Sequence, residues 1–164
     1  MAGREHRYRV DVRWTGNTGT GTSGYKAYTR DHVIYAPGAD KPDIPGSSDP
    51  AFRGDPARWN PEELYVAAIS ACHKLWYLHL CAANRIIVTD YLDEAEGVMV
   101  ESPDGGGQFA SVTLRPKITL TRAADIQAAK ALHHEAHAKC FIANSIKTPV
   151  DVEPEFIAMD RSET

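Results

Sequence analysis

The stretch from Asn60 to Asn84, NPEELYVAAISACHKLWYLHLCAAN, constrains the fold more than any other part of the chain. Asn60 is a capping residue type. Pro61 suits the first helical position, where a backbone N–H would lack a partner in any case. Glu63 completes a capping-box pattern with Asn60. Leu64, Ala68, Ala71, Leu75, Leu78 and Ala82 recur at steps of three and four, which predicts a helix. The other side carries Ile69, Trp76 and Leu80. A helix that is apolar nearly all round is a buried one, so this segment is expected to be the central helix.

The remaining segments are read around that helix. Residues 6–14, HRYRVDVRW, alternate through Val10, Val12 and Trp14 and predict a strand. A Gly/Thr loop follows, and YKAYTRDHVIYA reads as one or two strands. Residues 37–58 hold five prolines and three glycines with almost no periodicity, and form a long loop of the kind that often carries function. Residues 86–101 and 107–120 read as two long strands joined by a Pro-Asp-Gly-Gly-Gly turn. A second helix is expected from about 122 to 138, and CFIANSI reads as a short helical piece. Pro149 ends it, and VDVEPEFIAM closes as a final strand. This order implies one α+β domain over residues 1–164, with one layer of helix and one of sheet.

Composition narrows the function. The 164 residues are 43% hydrophobic and 24% charged, with a net charge of −4. Nothing in the composition argues for nucleic acid, and there is no basic tail. No stretch approaches the length of about 18 apolar residues that a membrane span needs. The N-terminal MAGREHRYRV lacks the apolar run of a signal peptide, and three cysteines do not make a secreted disulfide framework. A reducing, cytoplasmic setting is expected, with cysteines that are free, metal-bound or chemically active.

Three motifs bear on chemistry. Gly19, Gly21 and Gly24 match G-x-G-x-x-G after a strand, but the sequence continues into strand rather than helix, so a hairpin loop is the better reading than a dinucleotide site. HHEAH places His133 and His137 on one helix face. Two histidines are too few for zinc, and a polar helix face is favoured, with a metal site that adds a cysteine as the alternative. Cys72 and Cys81 are nine residues apart on one helix, about 13 Å along the axis and on opposite sides, beyond disulfide reach. His79 shares a face with Cys72, but about 10 Å away, and His73 points elsewhere. Cys81 is most simply a small buried residue.

Cys72 is left. A reactive thiol needs a nearby cation, and the loop ahead of the helix carries Arg53 and Arg58. A carboxylate, Glu62 or Glu63, would hold such an arginine as a bidentate pair, with Glu63 also suited to a capping role. On composition alone, a buried, inert Cys72 is the simpler reading.

The run NPEELYVAAISAC, with a second cysteine in KCFIANSI, resembles the OsmC/Ohr family of thiol-dependent peroxidases over nearly the whole chain. The resemblance implies a peroxidatic Cys72, a glutamate ten residues earlier at Glu62, a loop arginine at Arg53 and a second cysteine at Cys140. Arg30 is the alternative arginine, by analogy with the hydroperoxide-resistance branch. The chain departs from the family pattern in Phe141 after the second cysteine, in His73 after the first, and in a longer GSSDPAFRGD loop.

The implied fold is α+β, with curved antiparallel sheets wrapped around long central helices in an intertwined homodimer. The implied activity is reduction of organic hydroperoxides to alcohols. Cys72 becomes a sulfenic acid, Cys140 closes a disulfide, and an external dithiol, a lipoyl-type one among the options, reopens it. No cofactor, nucleic acid or membrane is implied. Trp76, Leu75 and Ile69 are candidates for an apolar pocket wall, with core packing as the alternative for each. The rival readings are a binding protein of the same fold with inert cysteines, and a metalloprotein built on His133, His137 and a cysteine.

Overall fold

The computed structural model describes residues 3–159. The chain divides into two compact units, one up to Leu64 and one from Tyr65 onward.

In the first unit, strands β1 (Asp11–Trp14), β2 (His32–Tyr35) and β3 (Ile44–Gly46) form an antiparallel sheet in that order. Val12 faces Ile34 across β1 and β2, and Ile34 faces Ile44 across β2 and β3. The strand expected over 6–14 is limited to its last four residues. The Gly/Thr segment is a hairpin loop. Asn17 Oδ1 accepts from the amides of Gly19 (2.9 Å) and Gly21 (3.0 Å), and both glycines take positive φ. The glycines therefore serve a turn rather than a phosphate. The proline-rich segment 37–58 supplies β3 and a 3-10 turn, Pro50–Phe52, which Asp49 caps by accepting from Ala51 N at 2.7 Å. Buried Ser47 ties this loop to the sheet. It donates to Asp31 Oδ1 (3.1 Å) and accepts from Asp55 N (3.1 Å).

Helix α1 (Pro61–Ala83) has the expected bounds and the expected cap. Asn60 Oδ1 accepts from Glu63 N at 2.8 Å, and Glu63 Oε2 accepts from Asn60 N at 3.1 Å, so both halves of the capping box are formed. The helix ends where Arg85 turns left-handed (φ 60°) and Ile86 N bonds back to Cys81 O at 2.9 Å. Its burial differs from expectation. One stripe is buried, Ile69, His73, Tyr77, Leu80 and Cys81, at the four- and three-residue steps of a single face. Leu75, on another face, is 64% exposed.

The two long strands expected after α1 are four. β4 (Val88–Asp93) and β5 (Glu96–Glu101) make up the first arm, β6 (Gly107–Leu114) and β7 (Pro116–Leu120) the second. The closing strand is also two, β8 (Val150–Val152) and β9 (Glu155–Ala158). They assemble as two sheets, β4-β7-β9 and β5-β6-β8, in which β9 and β8 run parallel to β7 and β6. The sheets are therefore mixed rather than wholly antiparallel. All three breaks meet at Arg115. Its amide donates to Asp93 Oδ1 (2.7 Å), and its guanidinium pairs with Glu96 (2.8 Å) and Glu153 (3.2 Å). Pro116, first residue of β7, and Pro154, within the break between β8 and β9, have no N–H to give a ladder.

Helix α2 (Ile126–Lys139) is preceded by a 3-10 turn, Ala123–Asp125, and a second such turn, Ala143–Ser145, lies within CFIANSI. One core joins Tyr77, Leu80, Cys81 and Ile86 to Ile118 and Leu120 of β7 and Ala129 and Ala136 of α2. A second joins Ile69 to Val112 and Leu114 of β6. The strict alternation of buried residues from Val112 to Leu120 spans both sheets.

Candidate active site

The three cysteines sit in three different environments. Cys81 is buried on the inner face of α1 beside Tyr77, and burial pushes its thiol up, which suits the apolar role expected of it. Cys72 is half-buried and free. Cys140 is the C-cap residue of α2, and its side chain is buried. α2 thus delivers Cys140 to α1, where its thiol lies close enough to that of Cys72 for the two to influence one another. Burial, with that thiol–thiol contact adding to it, pushes the Cys140 thiol up to about 11. The Ala143 amide donates to its sulfur at 3.4 Å from the following turn and works the other way. The structure thus brings together two residues separated by most of the second unit.

Next to this pair in sequence lies a group that the spacing did not reveal. His73 Nε2 and His133 Nδ1 are 2.9 Å apart, with the rings parallel to within 2°. Both imidazoles are buried, at 1% and 5% exposure. Tyr77 stacks on His133 at 4.0 Å, and Phe156 of β9 meets it edge-on at 6.0 Å. Burial depresses both imidazoles, His73 to about 4, with His137 adding to the effect, and His133 to about 3, with His73 adding to it. The pair is neutral near pH 7. His133 is therefore turned inward to α1, onto His73 and Tyr77. Among the described residues, no group of three or more His, Cys, Asp or Glu side chains is placed to hold a metal ion. The sequence signal was present in HHEAH, but the partner lies 60 residues away.

An apolar surface adjoins the thiols. Trp76 lies one turn after Cys72, and Phe141 follows Cys140; their rings meet edge-on at 5.9 Å. Leu75, Trp76 and His79 line a shallow cavity of about 240 Å³. The Lys139 ammonium lies 5.6 Å from the Trp76 ring and pairs with Glu135 at 2.7 Å. Two of the three residues expected as a pocket wall, Trp76 and Leu75, are here. The third, Ile69, is fully buried in the core with Val112 and Leu114. Phe141, 71% exposed, was not anticipated as part of this surface.

The remaining candidates belong to the first unit. Arg53 follows the 3-10 turn in a left-handed conformation (φ 67°) and is exposed, with its guanidinium 5.8 Å from the Tyr25 ring. Glu62 occupies the first turn of α1. Among the described residues, the two form no ion pair with one another, and Glu63 is engaged in the cap. Arg30 has other work. Its Nη1 donates to the carbonyls of Tyr25 and Tyr28, both at 2.9 Å, and its guanidinium lies over both rings at 4.4 and 4.2 Å. Arg58 faces Asp31 (3.8 Å) and Asp55 (3.6 Å).

The fold is α+β, with one antiparallel and two mixed three-stranded sheets, and the Cys72 and Cys140 thiols meet where the end of α2 reaches α1. The sequence pattern of OsmC-like proteins matches residues 54–155, and the chain belongs to that family. Its structure is similar to that of an OsmC-like protein of unknown function from Vibrio cholerae, at 30% identity and a TM-score of 0.79, covering 93% of this chain and all of that one. Two further structures share the fold. One is an organic hydroperoxide resistance protein from Elizabethkingia anophelis (18% identity, TM-score 0.66, 94% of this chain and 99% of that one). The other is the organic hydroperoxide resistance protein OhrB of Bacillus subtilis (22%, 0.61, 93% and 98%). No curated protein matches the sequence.

Proposed function

We propose that the protein is a thiol-dependent peroxidase that reduces organic hydroperoxides to alcohols. The observation that carries this reading is the proximity of the Cys72 and Cys140 thiols, in a chain of the OsmC-like family whose fold is shared by hydroperoxide resistance proteins. The partly accessible Cys72 meets the peroxide. Its thiolate attacks one peroxide oxygen, the O–O bond breaks, and the departing alkoxide takes a proton and leaves as the alcohol. Cys72 is left as a sulfenic acid. The Cys140 sulfur then attacks the Cys72 sulfur; its proton leaves with the sulfenic hydroxyl as water, and a disulfide remains. An external dithiol supplies two electrons and two protons to reopen it. A lipoyl-type dithiol is one reductant of this chemistry.

Arg53 is the arginine we assign to the peroxide oxygens, with Glu62 to orient it, because Arg30 is committed to two carbonyls and two tyrosine rings. Trp76, Leu75 and Phe141 favour a substrate with an apolar body over hydrogen peroxide. The whole chain acts as a single OsmC-like unit in a homodimer, in the cytoplasm. The exposed Leu75 on α1 supports a second copy as its cover.

Thiol counting on reduced protein before and after one equivalent of cumene hydroperoxide tests the reading. Wild type should lose two thiols with a 72–140 link on peptide mapping, and Cys72→Ser should keep its thiols. Survival of both peroxide and thiols in wild type overturns it. The second reading, a binding protein of this fold, is supported by an open, mostly apolar cavity of about 430 Å³ lined by Leu78, Cys81, Ala82, Arg85, Ile86, Ile87 and Val88. Under it, Cys72→Ser and Cys140→Ser would leave function intact.

A further inference from the structure

Two buried imidazoles joined only to one another are an unusual choice for a helix interface. Each loses its hydration on burial, and an apolar pair of similar size would avoid that cost. What the polar pair adds is direction. An N–H···N bond of 2.9 Å between rings parallel to within 2° is met at one height and one rotation of α2 against α1, whereas apolar side chains slide. The contacts around the pair reinforce that setting, with Tyr77 of α1 flat on His133 and Phe156 of β9 against its edge.

The positions of the histidines give the setting a purpose. His73 is the residue after Cys72. His133 stands seven residues, two helical turns or about 10 Å, before Cys140 at the end of α2. The height of α2 therefore decides where Cys140 arrives.

We propose that His73 and His133 are positioning residues that hold Cys140 against Cys72 for disulfide closure, by fixing the register of α2 on α1 through their mutual hydrogen bond. The proposal deepens the peroxidase reading, in which that closure is the resolving step. It does not require peroxide, because any two-electron oxidant of thiols reports the same geometry.

The test uses diamide on the full-length reduced protein. Diamide takes two electrons and two protons from Cys72 and Cys140 and becomes the hydrazine as the disulfide forms. Closure is followed by thiol counting and peptide mapping, and stability by thermal unfolding. In the double variant His73→Phe/His133→Phe, packing is kept and the directional bond is lost. We expect closure at least tenfold slower than wild type with an unchanged or higher Tm. His73→Gln and His133→Asn, which set an amide where the bonded nitrogens lie, should close within about twofold of wild type. Closure at the wild-type rate in a folded double-Phe variant overturns the proposal. If that variant does not fold, His133→Asn against His133→Leu makes the same comparison between side chains of similar shape, and equal rates overturn it. Cumene hydroperoxide consumption is measured beside it. Should wild type close with diamide in this pattern yet leave the peroxide untouched, the positioning role stands and the peroxidase reading fails.

Discussion

Cys72 keeps partial contact with solvent, and Cys140 is 1% exposed with its thiol pushed up to about 11. The proposed division of labour follows from this, because a nucleophile must meet its substrate and a resolving thiol needs only to meet the first sulfur. Cys140→Ser should therefore complete one turnover and stop at the Cys72 sulfenic acid. Trapping with dimedone and mass spectrometry should find one adduct per chain at Cys72 and none in Cys72→Ser. The two arginines separate at the same scale. Arg53→Ala should lower kcat/KM for cumene hydroperoxide by about a hundredfold or more, the scale for losing one donor to a developing anion, with the Tm little changed. Arg30→Ala should instead lower the Tm, because two tyrosine carbonyls and two ring faces lose their partner. An Arg53→Ala variant with wild-type kinetics would remove Arg53 from the site.

Between elements, the polar link from α1 to α2 makes stability depend on pH. The unfolded chain takes up protons on its histidines as pH falls through about 6.5, while the folded His73 and His133 stay neutral down to about 4 and about 3. The unfolded state binds more protons across that window, so stability is lost as pH falls from about 6.5 toward 4. Among the described residues, the groups that bear on the pair are Tyr77, His137 and Phe156, and none of these is a carboxylate that would offset an imidazolium. Denaturant titrations at pH 7 and 5 should show a lower midpoint at pH 5, and the double-Phe variant should lose much of that difference. Equal pH dependence in both proteins would place the acid sensitivity elsewhere. Legibility also divides at this scale. The capping box of Asn60 and Glu63 is a local pattern, and the helix boundaries read from it agree with the structure. The breaks in the long strands were not legible because they depend on Arg115 meeting Asp93, Glu96 and Glu153, three partners that only the folded ribbon assembles. The His73–His133 bond was missed for the same reason. A spacing rule sees His133 and His137 one turn apart, but not a ring contributed by another helix.

For the molecule as a whole, the distribution of burial makes a claim about assembly. Every large apolar side chain that is buried among the described residues lies at Ile69 or beyond. In the first unit, Tyr8, Val10, Val12 and Trp14 are 91%, 64%, 63% and 44% exposed. A unit whose described residues bury no large apolar side chain does not account for its own folding, and exposed apolar side chains of this number mark a surface meant to be covered. The proposed homodimer supplies the cover. Sedimentation should give a mass near twice 18.0 kDa at micromolar concentration, and Val12→Lys or Leu75→Lys should shift it toward one chain. A monomeric wild type would contradict this. The α+β class and the family were legible because NPEELYVAAISAC and KCFIANSI are each a contiguous local pattern. The expectation of a homodimer came from the family resemblance together with the apolar composition of α1, whereas which side chains are left exposed is a property of the folded chain.

The parallel strands β8 and β9 also bear on how the protein is made. They complete sheets whose other members, β4 to β7, end at Leu120, thirty residues upstream of Val150. While the ribosome is still adding α2, β6 and β7 each present an unpaired edge of Val112, Leu114, Ile118 and Leu120 backbone to whatever is nearby. Synthesis passes through a sticky interval that closes only when residues 150–158 emerge and dock. A chain stalled or clipped before Val150 would carry both open edges permanently, and aggregation rather than loss of chemistry would be its first failure.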